Sequence, residues 1–340
     1  MSGWRASLAM LPKAELHVHL EGTLTAPVRA RLAERHGIGD PLAGTDVVAG
    51  SSSFPAFARL YYAGSALLRN AADFADAVDS YLGEAYGFGV RHVEFALDVQ
   101  THHRRGVPAG AVVDGVEEGF ARWHGRGVSG GMIATLDRGD VDGAPDALRR
   151  LRPYRDRVLG IGVASDERSS APASFAPEFA LAADWGWRRT AHAVAPDFIE
   201  AALDQLGVDR IDHGFRACER PDLVSRLVTE GIALAACPVT NVLVGPVESL
   251  RAHPLPGLIR RGVRASLSTD DPAYFGCGLA DVYRAAADEL GLRPAEVLGV
   301  ALTSVDSSFA TERRKSELRS GIDAWRELYM RGGTAAPSAR

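Results

Sequence analysis

The chain has 340 residues, of which 46% are hydrophobic, and its formal net charge at pH 7 is −5. This length and apolar content allow one large α/β barrel or two modest domains. The negative charge argues against the basic surface that binds nucleic acid or anionic membranes, so a small molecule is the expected partner.

Cysteine usage and hydropathy bound the compartment. The three cysteines, Cys218, Cys237 and Cys277, form no CxxC pair, which argues against a disulfide framework or a thiolate metal cluster. The N-terminal sequence has no signal-peptide pattern, and no apolar run approaches the roughly 20 residues of a membrane helix. We therefore expect a soluble, unprocessed protein in the cytoplasm, with no membrane partner. Monomer and homo-oligomer both remain open.

Short β-type runs alternate with amphipathic segments along the chain. In order, the strand candidates are "ELHVH", "RHVEFALD", "GGMIATLD", "RVLGIGVA", "RRTAHA", "VDRIDHG", "GIALAACP" and "GVRASLSTDD". Apolar residues at helical spacing predict helices between them, among others at 73–86, 111–123, 177–184, 195–206, 221–229 and 279–290. Eight such units predict an α/β fold, a (β/α)8 TIM-type barrel of parallel strands with its site at the C-terminal strand ends. An open doubly wound sheet is the alternative, but no GxGxxG motif follows any strand.

No linker or internal repeat divides the chain, so residues 1–331 are expected to form this single barrel. Residues 37–55 contain Gly, Ser and Pro and predict a loop with short helical pieces, flanking the barrel mouth as a lid. The tail at 332–340, "GGTAAPSAR", is predicted to be disordered.

Three histidines and an aspartate stand at the ends of three strand candidates. His17 and His19 project from the same face of a strand because side chains alternate with period two. His192 ends the fifth candidate and Asp270 ends the eighth. Together these four residues predict a site with three nitrogen ligands and one oxygen ligand, which suits one catalytic zinc with a position left for water. Iron or manganese is the alternative cation.

His213 and the paired aspartates supply the predicted chemistry around this metal. His213 ends the sixth strand candidate and is expected to orient or deprotonate the water, with Asp270 sharing the proton. Asp271 points away from Asp270 on strand geometry and is a candidate partner for substrate. The alternative for Asp271 is an N-cap of the helix that begins at "PAYFG".

With these residues in hand, the chain resembles the adenosine/adenine deaminase family of metal-dependent amidohydrolases over nearly its whole length. "PKAELHVHLEGTL" is similar to the family's first-strand metal motif, "CPVTNV" to its seventh-strand motif, and "HPLPGLIRRGVRASLSTDDPAYFG" to its eighth-strand motif. The segments "LYYAGSALLRNAADF", "VQTHHRRGV", "VLGIGVASDERSSAPASFA" and "RIDHGFRACE" look closer to the adenine deaminase branch.

The resemblance implies a TIM-type barrel, one zinc ion, and replacement of an exocyclic amine on a purine by hydroxyl. It implies metal ligation by His17, His19, His192 and Asp270, a water-orienting role for His213, and a ring contact for Asp271. Glu167 matches the acid that ends the fourth-strand motif. We assign it to the substrate side of the site with a structural role, and a loop salt bridge is the alternative.

The chain departs from the family after His192. The family's fifth strand ends in His-Ala-Gly-Glu, whose glutamate protonates the ring nitrogen during attack, whereas this chain has "HAVA". Candidates for a replacement acid at or near strand ends are Asp98, Asp166, Glu167 and Asp212. The run "GVASDE" also departs from the adenine branch, which carries an aspartate near Ala164, and the two changes together favour a changed substrate.

Three hypotheses follow for the function. The first is a zinc-dependent aminohydrolase acting on a modified purine or another small nitrogen heterocycle, with poor activity on ordinary adenine and adenosine. The second is a repurposed metal enzyme that catalyses a different step and releases no ammonia. The third is a catalytically silent, ligand-binding relative, against which the complete set of ligand residues argues.

Overall fold

A computed structural model describes residues 3–330. Eight strands form one parallel sheet in sequential order: β1 (Lys13–His19), β2 (Val90–Asp98), β3 (Ser129–Asp137), β4 (Gly160–Ala164), β5 (Arg188–Ala193), β6 (Arg210–His213), β7 (Ala233–Ala236) and β8 (Ala265–Leu267). The amide of His19 donates to the carbonyl of Asp270 at 2.8 Å, and the amide of Asp270 donates to the carbonyl of His17 at 3.1 Å. These two hydrogen bonds join the first strand to the segment that follows the last strand. The predicted TIM-type barrel is confirmed. The predicted tail at 332–340 lies outside the described residues.

Helices follow the strands and cover the outside of the barrel. They are α1 (Gly3–Ala6), α2 (Ala26–Arg35), α3 (Val47–Gly50), α4 (Phe54–Ser65), α5 (Ala71–Gly87), α6 (Val99–Arg104), α7 (Ala109–Ala121), α8 (Ala144–Leu151), α9 (Ala176–Asp184), α10 (Pro196–Ala201), α11 (Pro221–Glu230), α12 (Pro238–Leu243), α13 (Leu255–Arg260), α14 (Pro272–Phe275), α15 (Leu279–Asp288), α16 (Pro294–Asp306) and α17 (Glu312–Tyr329). The helix predicted at 195–206 is α10 continued by a π-helical turn at Ala202–Leu206, which ends at Gly207 with φ of +57°.

The segment predicted as a loop with helical pieces contains one short helix, α3, whose N-cap Asp46 accepts a hydrogen bond from the Ala49 amide. It leads into α4, which begins at Phe54 with a proline in its first turn. At this position the backbone N–H that proline lacks would have no hydrogen-bond partner within the helix. Helix α4 carries aromatic side chains to the barrel mouth. The lid role of residues 37–55 stays a prediction.

The floor of the barrel is polar and fully buried. Arg210 donates to the Glu94 carboxylate at 2.8 Å and to the Leu16 carbonyl at 2.9 Å, and both charged side chains are inaccessible to solvent. Glu94 also accepts from the backbone amide of Phe309 and lies 3.2 Å from the His92 ring. Although burial opposes ionisation, the Arg210 guanidinium holds the pKa of Glu94 below its usual range. The floor therefore depends on a satisfied ion pair.

Two further findings concern the cysteines and the hydropathy of the helices. Cys218, Cys237 and Cys277 are all free thiols, in agreement with the prediction against a disulfide framework. Among the helices within residues 3–330, none has both the length and the hydropathy to cross a bilayer.

We predict that Glu94→Gln lowers the free energy of unfolding by about 3 kcal/mol, because it removes the carboxylate that forms the hydrogen-bonded ion pair with the buried Arg210 guanidinium. Urea denaturation at pH 7 measures the change. Arg157→Gln is the control, since Arg157 pairs with Asp114 and Glu117 at the surface and should cost less than about 1 kcal/mol. Equal losses in the two variants would contradict the prediction.

Candidate active site

The four predicted ligand residues meet at the C-terminal ends of the strands. His17 and His19 end β1, His192 lies near the end of β5, and Asp270 follows β8. One ligand atom from each lies within 4.8 Å of the others. The two Nε2 atoms of His19 and His192 are 3.1 Å apart, and Asp270 Oδ1 is 3.2 Å from His17 Nε2. The parallel strands therefore bring these residues together as the sequence pattern predicts.

The chemistry of this cluster fits a divalent cation. Both ring nitrogens of His17 and the Nδ1 atom of His192 are buried and have no hydrogen-bond partner within the described chain, a condition that is rare unless an ion or water satisfies the group. Burial and the neighbouring imidazole of His17 lower the pKa of both His192 and His19. Neutral imidazole is the form that binds metal. For His17, burial is outweighed by the Asp212 and Asp270 carboxylates, which raise its pKa. Three imidazole nitrogens with one carboxylate suit zinc or a similar ion.

A further carboxylate, Asp212, stands behind two of these histidines. Its register partner across the β5–β6 pair is His192, and its Oδ2 atom accepts a hydrogen bond from the Thr190 hydroxyl at 2.7 Å. The carboxylate lies 3.6 Å from His192 Nδ1 and 3.8 Å from His17 Nδ1. Metal-binding histidines commonly face a carboxylate with the nitrogen that is turned away from the metal. The sequence predicts Asp212 only as a replacement acid; its position opposite His192 in the β5–β6 pair adds a supporting role for the ligand residues.

His213 lies beside the carboxylate of Asp270, the oxygen ligand of the predicted set. Its Nε2 atom is 3.7 Å from Asp270 Oδ2, and its Nδ1 atom is 3.4 Å from the side-chain nitrogen of Asn241. Burial lowers the pKa of His213 to about 4. Asn241 is in turn 3.2 Å from the His253 ring. The sequence motifs "CPVTNV" and "HPLPG" contain Asn241 and His253, but neither was assigned a role.

Backbone strain marks the same region. Among the described residues, the non-glycine residues with positive φ are Ser165 at 78°, His213 at 66° and Asp270 at 66°. All three line one cavity. A non-glycine residue held in this conformation costs roughly 1 kcal/mol or more, and such residues cluster at functional sites. The backbone therefore points to the strand ends independently of the side chains.

The cavity above the ligand cluster has a volume of about 460 Å³, within the range of small-molecule sites. One wall is aromatic and comes mainly from α4, with Phe54, Phe57, Tyr61 and Tyr62. The Tyr61 ring stands edge-on to His19, with 6.1 Å between the ring centroids. A planar, partly apolar molecule would fit between this wall and the strand ends.

Asp271 turns its carboxylate into this cavity. It occupies the N-cap position of α14, but its side chain makes no capping hydrogen bond. Its Oδ1 atom is buried without a partner in the described chain. Gly22 makes room for it, because a Cβ at Gly22 would overlap the Asp271 carboxylate. Burial and the adjacent Asp270 raise the pKa of Asp271 well above its ordinary range. The Asp271 side chain therefore does not cap α14, which was the alternative role for this residue.

Glu167 joins the loop after β4 to the turn after β5. Its two carboxylate oxygens accept hydrogen bonds from the backbone amides of Val194 and of Ala195, the latter at 3.2 Å. Val194 and Ala195 line the cavity just beyond His192. The turn itself thus presents apolar side chains to the cavity, and the nearby carboxylate is occupied by backbone donors.

The other candidates for a replacement acid differ in exposure. Asp166 pairs with the exposed Arg168 at 2.8 Å, away from the buried cluster. Asp98 lies at the end of β2, lines the cavity, is 8% exposed, and accepts a hydrogen bond from the Thr101 amide at 2.9 Å. Burial, together with the Glu21 carboxylate, raises the pKa of Asp98 to about 6. Asp98 therefore keeps its proton to a pH closer to neutral than an ordinary aspartate does.

Comparison with known proteins identifies the family. A model of the adenosine deaminase family matches residues 12–325, almost the whole chain. The chain belongs to the adenosine deaminase family. The adenine deaminase of Streptomyces coelicolor is 40% identical over 331 residues, covering 95% of this chain and 97% of that protein. That of Rhodospirillum rubrum is 38% identical over 327 residues, covering 94% and 98%.

Solved structures of this family have the same fold. An adenine deaminase from Arthrobacter aurescens superposes with a TM-score of 0.88 at 37% identity, covering 93% of this chain and 99% of that one. An amidohydrolase from Burkholderia ambifaria with bound zinc gives a TM-score of 0.85 at 25% identity, covering 97% and 96%. This adenosine deaminase family member is therefore a hydrolytic deaminase of C–N bonds, of the adenine deaminase type and of the metal-dependent amidohydrolase class.

We predict a pH-dependent difference in the free energy of unfolding between Asp98→Asn and the wild type. The difference, variant minus wild type, is about 2 kcal/mol larger at pH 7 than at pH 4. The folded pKa of about 6 exceeds the ordinary 3.8. Between these values the folded wild type binds more protons than the unfolded chain, so its stability falls as pH rises and then stays level. Asparagine has no such proton and still caps α6.

Urea denaturation at the two pH values measures this difference. Asp166→Asn is the control of opposite sign, because the hydrogen bond from Arg168 lowers the pKa of Asp166 and the wild-type residue gains stability as pH rises. A relative stability of Asp98→Asn that does not change with pH would contradict the prediction.

Proposed function

We propose that this protein is a zinc-dependent aminohydrolase that removes an exocyclic amine from a purine-like or other small nitrogen heterocycle. The observation that carries the proposal is the convergence of His17, His19, His192 and Asp270 beneath a cavity that His213 and Asp271 also line. The names of the adenine deaminase relatives support a nitrogen heterocycle as substrate.

The roles of the residues follow from their positions. His17, His19, His192 and Asp270 would hold the cation, which would lower the pKa of a bound water so that hydroxide is available near neutral pH. His213 and Asp270 flank the space above the cluster and handle the proton of the attacking water. Asp271 binds the ring through its unpartnered carboxyl. Glu167 fixes the turn that forms the adjoining wall through the amides of Val194 and Ala195.

The turn after His192 limits the reaction on ordinary purines. Attack at the amine-bearing carbon places negative charge on the neighbouring ring nitrogen, and a positioned acid there contributes about 10² to 10⁴ in rate. Val194 and Ala195 offer no proton, and Glu167 is tied to two backbone amides. We propose that the physiological substrate is a ring that needs less help from such an acid than adenine does.

Two other functions are less well supported. A non-hydrolytic or ammonia-free reaction would use the same cation, but the full-length similarity to adenine deaminases favours deamination. A catalytically silent binding protein would have no need of the buried, unpartnered ring nitrogens of His17 and His192 beside Asp270. We propose a cytoplasmic location, which suits the three free thiols.

We predict about one zinc per chain in the purified protein, with loss of metal and of activity together in His17→Ala, because that variant removes one ligand. Elemental analysis and ammonia release on the same sample measure both. His103→Gln is the control, since His103 is a partly exposed histidine that pairs with Asp146 on the helical surface. Stripping with a chelator and reloading with zinc, iron or manganese identifies the active metal. A protein that stays metal-free after reloading would contradict the proposal.

We predict that adenine and adenosine are turned over at least about a hundredfold more slowly than the physiological substrate, which is to be found by screening amine-bearing heterocycles for ammonia release. Inserting Gly-Glu after Ala193 should raise turnover of adenine, because it adds an acid beside the ring. Insertion of Gly-Gln is the matched control without a proton to donate. Equally fast turnover of adenine by the wild type would show that an acid is already in place.

A further inference from the structure

We infer that His253 and Asn241 fix the tautomer of His213, so that His213 presents an N–H donor to the reaction and Asp270 accepts the proton of the attacking water. The inference rests on the proposed function and decides between the two roles open to His213. It follows from the direction of three consecutive buried hydrogen bonds.

The first bond has an unambiguous direction. The backbone amide of Leu255 donates to His253 Nδ1 at 3.1 Å. Leu255 is the first residue of α13, and amides in the first turn of a helix have no partner inside the helix. A nitrogen that accepts this hydrogen bond carries no proton of its own. His253 is therefore neutral, with its proton on Nε2.

The second bond orients the amide of Asn241. His253 Nε2 lies 3.2 Å from Asn241 Oδ1. Because that ring nitrogen carries the proton, its partner must be the amide oxygen and not the amide nitrogen. The side-chain NH2 group of Asn241 then faces His213, 3.4 Å from Nδ1.

The third bond sets His213. An NH2 group has no lone pair to accept with, so the Nδ1 atom of His213 is the acceptor and its proton resides on Nε2. That Nε2 atom faces Asp270 Oδ2 at 3.7 Å and borders the cavity. A single helix amide thus determines the protonation of a side chain in the active site, through two intermediate residues.

Burial protects this relay from water. His253 and Asn241 are 4% and 3% exposed, and the Phe215 ring packs against His253 with 5.3 Å between centroids. Asn241 lines the cavity, whereas His253 does not. Separately, burial and His213 lower the pKa of His253 to about 4, which agrees with a neutral ring.

The assignment gives each group one task in the deamination. The Nε2–H of His213 donates to the attacking water and directs an oxygen lone pair at the amine-bearing ring carbon. As the C–O bond forms, one proton of the water passes to the Asp270 carboxylate. Asp270 returns this proton to the amine as the C–N bond breaks, and ammonia leaves. The ring carbon keeps the hydroxyl, so water and amine are converted to hydroxyl and ammonia.

Nitrogen-15 NMR of the metal-loaded protein, labelled at histidine, reads the tautomer directly. In the wild type we expect a proton on His213 Nε2 and none on Nδ1. Two variants of equal shape then reverse or preserve the relay. His253→Gln keeps an acceptor for Leu255 and a donor for Asn241, so the tautomer is kept. His253→Glu offers acceptors only, turns the Asn241 amide around, and moves the His213 proton to Nδ1.

Kinetics with the substrate found by screening give a second measurement. We expect His253→Glu to lower kcat by about 100-fold, since a wrongly held histidine tautomer is severely damaging, with KM changed by less than about threefold because His253 does not line the cavity. His253→Gln should stay within about threefold of wild-type kcat. If His253→Glu does not fold, Asn241→Asp serves instead, because its carboxylate accepts from His213 Nδ1 and inverts the same proton.

The outcomes separate this inference from the proposed function. A wild-type His213 with its proton on Nδ1, or identical spectra for His253→Gln and His253→Glu, overturns the relay even if the enzyme releases ammonia. The expected spectra support the relay even if no amine-bearing ring proves to be a substrate. Failure of the proposed function shows instead in the metal analysis and the ammonia screen.

Discussion

The closure of the barrel and the construction of the active site use the same residues. The carbonyl of His17 and the amide of His19 bond to the backbone of Asp270, and these three residues also contribute side chains to the ligand cluster. The main-chain bonds fix the separation between the first and last strands, so the imidazoles and the carboxylate need no flexible loop to bring them together. The left-handed backbone of Asp270 belongs to this junction, where the surrounding bonds hold it in place.

Polar groups continue from the barrel floor to the cluster. Glu94 pairs with Arg210, whose Nε atom lies 3.8 Å from the Asp212 carboxylate, and Asp212 faces both His17 and His192. Each of these groups is buried, so each depends on its neighbour for a compensating charge or hydrogen bond. The interior of the barrel is therefore both a stabilising core and the support of the predicted ligand residues.

The sequence alone predicts those features that follow from the local periodicity of polar and apolar residues. The alternation of strands and helices gives the barrel, and the period of two places His17 and His19 on one face, because both follow from local geometry. Contacts between segments that are distant in the chain cannot be predicted from this periodicity. Asp212 meets His17 only when β6 and β1 share one interior, and Asn241 meets His253 only through the path of the chain around α12 and α13. The engagement of Glu167 with the turn after β5 likewise depends on the pairing of neighbouring strands, which no single segment encodes.

The donors and acceptors around the cavity limit where the protons of the reaction can reside. The turn after His192 offers apolar side chains, the Glu167 oxygens face backbone amides, and the inferred relay places the proton of His213 on Nε2. In the proposed function, Asp270 then remains as the acceptor beside the attacking oxygen, and Asp271 as the buried carboxyl that meets the ring. In such a site most polar groups contact the attacking water, and few contact the ring nitrogen. We therefore propose that it favours rings that already carry electron-withdrawing substituents, because these delocalise the charge that an acid would otherwise neutralise.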